Sequence, residues 1–241
     1  LDAVAVLTHA DRRDYERLLP GVRVERIPNA VHSLDQRLSR QTSTTVVAAG
    51  RLCAQKGFDL LIRAFAEVVR EFPDWRLHIY GTGPKRDRLR RLAGELGLRD
   101  HVRLMGRTDR LDERLADASL FVLSSRFEGL PMVMLEAMTH ALPVVSFDCP
   151  TGPADVIAHG ENGLLVPPGD VAGLAQAMIT LIRDRELRVA MGKAALRAVA
   201  GYGPEAVAPR WHELFTELAA GRRVTGAGGV RDAGSAGVLR P

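Results

Sequence analysis

Two short stretches combine residue types that could do chemistry. The first, Gly-Arg-Leu-Cys-Ala-Gln-Lys-Gly at residues 50–57, sets Arg51 and Lys56 on one turn. A guanidinium can fork onto two oxygens while an ammonium acts as a point charge, a combination suited to a diphosphate. The same pair also reads as two solvated surface cations. Lysine is rare here, with Lys56, Lys85 and Lys193 among 33 basic residues, so Lys56 stands out. The stretch is neither a GxxxxGK[ST] loop nor a GxGxxG loop.

The second stretch runs from Phe127 to Ala137. Pro131 suits a first helical turn, where its missing N–H costs nothing. The amides of Met132 and Val133 would then be free donors at the positive end of a helix, an anion site. Glu128 lies just before that end, either as a capping charge or as a ligand contact. Glu136 sits among Met134, Leu135, Ala137 and Met138. A carboxylate so surrounded needs a partner, and either a ribose diol or an arginine would serve.

Other signals are weaker. Gly81-Thr82-Gly83-Pro84 could cradle a phosphate or simply turn the chain into a helix. Lys85–Arg91 holds five basic residues without aromatic interleaving, which reads as a solvated helix face. His140 reads as a partner for a helix C-terminus. The chain has neither HExxH nor DxD, so no metal site is expected.

Positioning these residues requires a scaffold, and the periodicities supply one. Thr44–Gly50, Arg76–Gly81, Val102–Met105, Leu120–Leu123, Pro143–Phe147 and Gly163–Val166 are short apolar runs that read as six buried strands. Helical patterns cover Phe58–Phe72, Pro84–Leu96, Leu111–Ala116, Pro131–His140 and Pro153–Ile157, and continue through Val171–Arg183, Glu186–Ala200 and Glu205–Ala219. This alternation predicts an α/β fold, a Rossmann-like doubly wound parallel six-stranded sheet with helices on both faces. Ligands in such folds bind beyond the carboxyl ends of the strands. The loops at 50–57, 81–84, 106–108, 124–129 and 148–152 are therefore the ones to inspect.

Residues 1–30, read as strand, helix and strand, look like the tail of a preceding domain plus the start of a linker. Residues 31–220 would form the ligand-binding domain, and 221–241, with six glycines, a disordered tail. The chain opens on Leu1, which suggests a cut end within a longer protein. No apolar run reaches the roughly 18–20 residues that span a bilayer. Cys53 and Cys149 form no cluster, which excludes a disulfide scaffold and suits a cytoplasmic setting. A net charge of +4, dispersed along the sequence, does not predict nucleic acid as a partner.

Taken in order, these motifs resemble the donor-binding half of retaining glycosyltransferases of family 4, with the GT-B fold. The resemblance runs from Ile27-Pro28-Asn29 to about Phe215 and includes the 50–57 loop and Tyr80–Pro84. It continues through Gly106, the Glu-x7-Glu element from Glu128 to Glu136, Pro143–Val145 and Asn162–Pro167. It implies that Arg51 and Lys56, with the amides of Met132 and Val133, bind a nucleotide diphosphate. Glu128 would act at the transferred sugar as the catalytic residue, with Gly129 and Leu130 on its hydroxyls. Glu136 would hold the ribose, and Gly106 and Arg107 would approach the base. The implied co-substrate is a nucleotide sugar, by preference a UDP-sugar, with no cofactor and no metal.

The resemblance further implies a glycan, lipid-linked or small-molecule acceptor, brought by an amino-terminal domain that also supplies a catalytic histidine. Peripheral association with the inner face of the membrane would follow from a lipid-linked acceptor. Ala141 and Asp155 depart from the family's usual Gly and Glu, and the 148–153 run is similar to a subset that builds cell-surface polysaccharides. Two alternatives remain open at this level: a nucleotide-sugar epimerase on the same fold, and a non-catalytic sugar-nucleotide-binding module.

Overall fold

A computed structural model describes residues 1–32 and 37–226. The chain begins with β1 (Ala3–Val6), α1 (His9–Leu18) and β2 (Arg23–Arg26), and β1 and β2 form a separate parallel pair. The main domain then alternates β3 (Thr45–Ala49), α2 (Phe58–Glu71), β4 (Arg76–Tyr80), α3 (Arg86–Glu95), β5 (Val102–Gly106) and α4 (Leu111–Ala116). It continues with β6 (Leu120–Leu123), α5 (Met132–Thr139), β7 (Val144–Phe147), α6 (Pro153–Val156) and β8 (Gly163–Val166). Three helices close the chain: α7 (Val171–Arg183), α8 (Arg185–Val199) and α9 (Pro204–Gly226). The helix α9 thus covers the first residues of the expected 221–241 tail, and 227–241 lie outside the described residues.

The six strands are all parallel, in the order β5-β4-β3-β6-β7-β8. The β-branched and apolar runs of β6 and β7 are buried throughout, because helices cover both faces. On one face Leu61, Ile62 and Phe65 of α2 meet Leu77 and Ile79 of β4 and Met178 of α7. On the other, Met134 and Leu135 of α5 pack with Phe121 of β6 and Ala195 of α8. Asp170 and Asp184 cap α7 and α8 by accepting from Gly173 N (2.8 Å) and Leu187 N (2.9 Å). Arg188, buried between these helices, donates to the carbonyls of Leu181 and Ile182 and reaches Gln41 O.

The β1–β2 pair finds its cover at the far end of the chain. Val207 and Leu214 of α9 pack on Ile27, and Arg210 donates to the carbonyl of Arg26. At the end of α5, Ala141 adopts φ +55°, the left-handed conformation that closes a helix. This explains why glycine is usual at that place. The His140 ring does not lie open at the helix end; its Nδ1 meets the Arg37 carbonyl at 2.8 Å. Among the described residues no helix is long and apolar enough to cross a membrane.

Candidate active site

The strand order reverses between β3 and β6, the place where the loops leaving two adjacent strands diverge and open a crevice. The loop after β3 carries Arg51 and Lys56; the loop after β6 carries Glu128. The two are stitched together by hydrogen bonds to main-chain carbonyls. Arg126 N donates to Gln55 O (2.8 Å), Gln55 Nε2 to Phe127 O (3.0 Å) and Ser124 Oγ to Lys56 O (2.9 Å). Gly57, at φ +61°, lets this happen, since a Cβ there would stand 1.9 Å from Ser124 O. The loop after β4 closes from the other side: Leu52 N donates to Thr82 O, and a Cβ on Gly81 would meet Gly50 O at 1.9 Å.

These loops bound a cleft of about 570 Å³ whose wall includes Gly50, Arg51, Gly81, Arg107, Val133 and Glu136. Its size is that of a small-molecule site. Four segments singled out separately in the sequence therefore meet in one place. Arg51 is exposed, and its guanidinium makes no hydrogen bond or ion pair with any described residue. At the start of α5 the carbonyl of Pro131 is used by the amides of Met134 and Leu135, which leaves those of Met132 and Val133 without an acceptor in the helix. Glu136 lies one turn beyond Val133 on the cleft side and pairs with no arginine among the described residues. Burial first, then the charge of Asp112, raises its pKa above the ordinary carboxylate value.

Lys56 and Glu128 sit beside the cleft and pair with each other. Lys56 Nζ stands 2.6 Å from Glu128 Oε1, with side chains only 19% and 7% exposed. Ser125 Oγ donates to the same oxygen at 2.5 Å. The sequence offered Lys56 and Glu128 as contacts to different parts of a ligand; the fold makes them partners of each other. Glu128 is not the cap of α5, since Pro131 takes that place. A third loop supports it from behind: Thr151 Oγ1 donates to Glu128 O, and a Cβ on Gly152 would meet Gly129 O at 2.0 Å. Leu130 is buried, and the side chain of Arg107 is exposed beside Asp109. The Gly106 carbonyl accepts from Gly81 N at 2.8 Å, so it holds the loops together.

Sequence reading missed Ser125 and Leu111. Ser125 was legible only as a hydroxyl three residues before a carboxylate, and Leu111 only as a helix start. Among the described residues no group of His, Cys, Asp and Glu stands close enough to hold a metal ion.

Set against known proteins, residues 33–198 match the family described as glycosyl transferases group 1. The chain belongs to that family. An exopolysaccharide phosphotransferase of Streptomyces coelicolor is 40% identical over 225 residues, which is 92% of this chain and 24% of that protein. A poly(ribitol-phosphate) alpha-N-acetylglucosaminyltransferase of Staphylococcus aureus is 31% identical over 89% of this chain and 44% of its own length. The chain thus spans less than half of each of these relatives. A crystal structure of a variant of S. aureus TarM, in complex with fondaparinux, alpha-GlcNAc-glycerol and UDP, superposes with a TM-score of 0.82 at 30% identity. That match covers 88% of this chain and 43% of the TarM chain. The group 1 chain described here therefore has the six-stranded Rossmann-like architecture of GT-B glycosyltransferases.

Proposed function

We propose that this chain is the donor half of a retaining glycosyltransferase of family 4. In this reading it binds a UDP-sugar and transfers the sugar, with its anomeric configuration kept, to a glycan, lipid-linked or small-molecule acceptor. An acceptor domain upstream, joined near residue 30, completes the enzyme, which works on the cytoplasmic side of a membrane. The observation that carries the proposal is the meeting of Arg51, the open end of α5 and Glu136 in one cleft, with Lys56 and Glu128 at its side. The TarM complex, which contains UDP, supports the choice of nucleotide.

The chemistry follows from the charges. As the bond from the anomeric carbon to the diphosphate breaks, its electron pair leaves on the diphosphate oxygen. Arg51, Lys56 and the amides of Met132 and Val133 stabilise that growing charge, and need no metal to do so. The diphosphate draws Lys56 away from Glu128, so the carboxylate is freed as the sugar arrives. Glu128, still held by Ser125, then orients the sugar hydroxyls and stabilises positive charge at the reacting carbon. The amides of Gly129 and Leu130 lie along the sugar. The acceptor oxygen bonds on the face the diphosphate leaves, and the acceptor proton passes to the departing oxygen. Glu136 accepts from the ribose hydroxyls, and Gly106 and Arg107 flank the base.

Calorimetric titration with a UDP-sugar tests the reading. A charge-assisted hydrogen bond is worth about 1.5–3 kcal/mol, so Arg51→Ala should weaken binding by about ten- to a hundredfold. Equal affinity in wild type and variant refutes the proposal.

A further inference from the structure

Away from the cleft, one stretch of the chain concentrates positive charge. Residues 85–103 hold seven basic and three acidic side chains, an excess equal to the +4 of the whole chain. The segment comprises α3 and the first two residues of β5, which lie together at one edge of the sheet. Between them runs a groove of about 500 Å³, edged by Arg90, Arg91 and Arg99 over a floor of Ala93, Val102 and Leu104. Of these three arginines only Arg90 has an acidic neighbour among the described residues, Asp87 at 3.8 Å. The strand β5 pairs with β4 alone, so its outer side offers main-chain donors and acceptors without a ladder partner.

We propose that this groove docks an extended acidic segment of a partner polypeptide, added as a further strand along β5 with its carboxylates beneath the guanidiniums. Charge complementarity argues for an anionic occupant, and guanidinium forks suit carboxylates. The free strand edge selects a polypeptide, because only a peptide backbone can use that edge and the arginines together. A lipid surface is better met by protruding apolar side chains than by an apolar floor recessed between arginines. Single-stranded nucleic acid needs stacking platforms, and no aromatic side chain lines the groove. The proposal is independent of the donor reading, since the groove shares no residue with the cleft.

The test uses the whole chain and a fluorescent peptide of about ten residues, long enough for one strand, in which Glu alternates with Val. Anisotropy should show saturable binding that falls at least about tenfold, roughly 1.4 kcal/mol, when Arg91→Glu and Arg99→Glu are combined. Arg91→Gln with Arg99→Gln should fall in between. Unchanged melting temperature and unchanged UDP-sugar affinity would confirm that these variants remain folded. Hydrogen exchange should slow at the β5 amides on peptide binding, which charge attraction by itself would not cause. The proposal is overturned if the peptide fails to bind, if binding ignores the arginines, or if the β5 amides stay unprotected. Binding only to phosphatidylglycerol vesicles or only to an oligonucleotide also overturns it, as does a face that binds none of these and merely keeps sheet edges apart.

Discussion

Lys56 and Glu128 pair with each other beside the cleft, and this sets how each responds to substitution. Removing one partner of a largely buried pair strands the other charge, at a cost of about 3 kcal/mol. Lys56→Met should therefore lower the stability of the unliganded chain, and Glu128→Gln in the same chain should restore much of the loss. Denaturant melts of the four proteins in that cycle would measure the coupling; strictly additive effects would contradict the pairing. Glu136 behaves differently because its carboxylate has no hydrogen-bond or ion-pair partner among the described residues. Its raised pKa means that the folded state holds its proton more tightly than the unfolded chain does. Ionisation therefore opposes folding, a penalty present above the folded pKa and relieved as pH falls through it. Glu136→Gln should raise the melting temperature at neutral pH while weakening nucleotide-sugar binding, and wild-type binding should decline on acidification through the same carboxyl. A variant that loses stability, or that binds as before, would show that Glu136 faces no ligand.

At the scale of elements, the helices are held by contacts that ordinary propensity would not suggest. Gly192 lies in the middle of α8, where alanine normally favours the helix by up to about 1 kcal/mol. Here a Cβ would stand 2.1 Å from the Ala141 carbonyl, at the close approach of α8 to the end of α5. Gly192→Ala should thus reverse the usual sign and destabilise by about 1–3 kcal/mol, read from urea midpoints. Legibility in the sequence divides along the same line. The strands and most helices were readable because burial on two faces, or on one stripe, imposes a short period on apolar residues. The candidate residues at the start of α5 and in the 50–57 loop could be picked out because Pro131, Arg51 and Lys56 are local features. The Lys56–Glu128 pair, the support from Ser125 and Thr151, and the approach of Gly192 were not, because each joins residues whose relation is set by packing or loop conformation.

The whole molecule holds two tryptophans in different settings, and they can report on its parts separately. Trp75 is buried in the main domain with the Arg188 guanidinium 5.5 Å from its ring centroid. Trp211 stacks on Phe215 of α9, near the small core shared with Ile27. The β1–β2 pair and α9 bury few large side chains together, whereas the main sheet is covered on both faces. In a Trp75→Phe chain, fluorescence should therefore change at lower denaturant than the far-ultraviolet signal of the sheet, because the smaller core opens first. Coincident transitions would instead mean that the two parts unfold as one.

The stitching of the loops has a bearing on how such a protein can change its preferences. Gly57 against Ser124, Gly81 against Gly50 and Gly152 against Gly129 leave no room for a larger residue, so drift at the centre of the crevice threatens the architecture itself. Arg107, Thr108 and Leu111 stand on the rim, two of them in a connecting loop and the third at a helix start. New ligand selectivity should accordingly arise along that rim, by natural variation or laboratory selection, while the stitched interior is inherited unchanged.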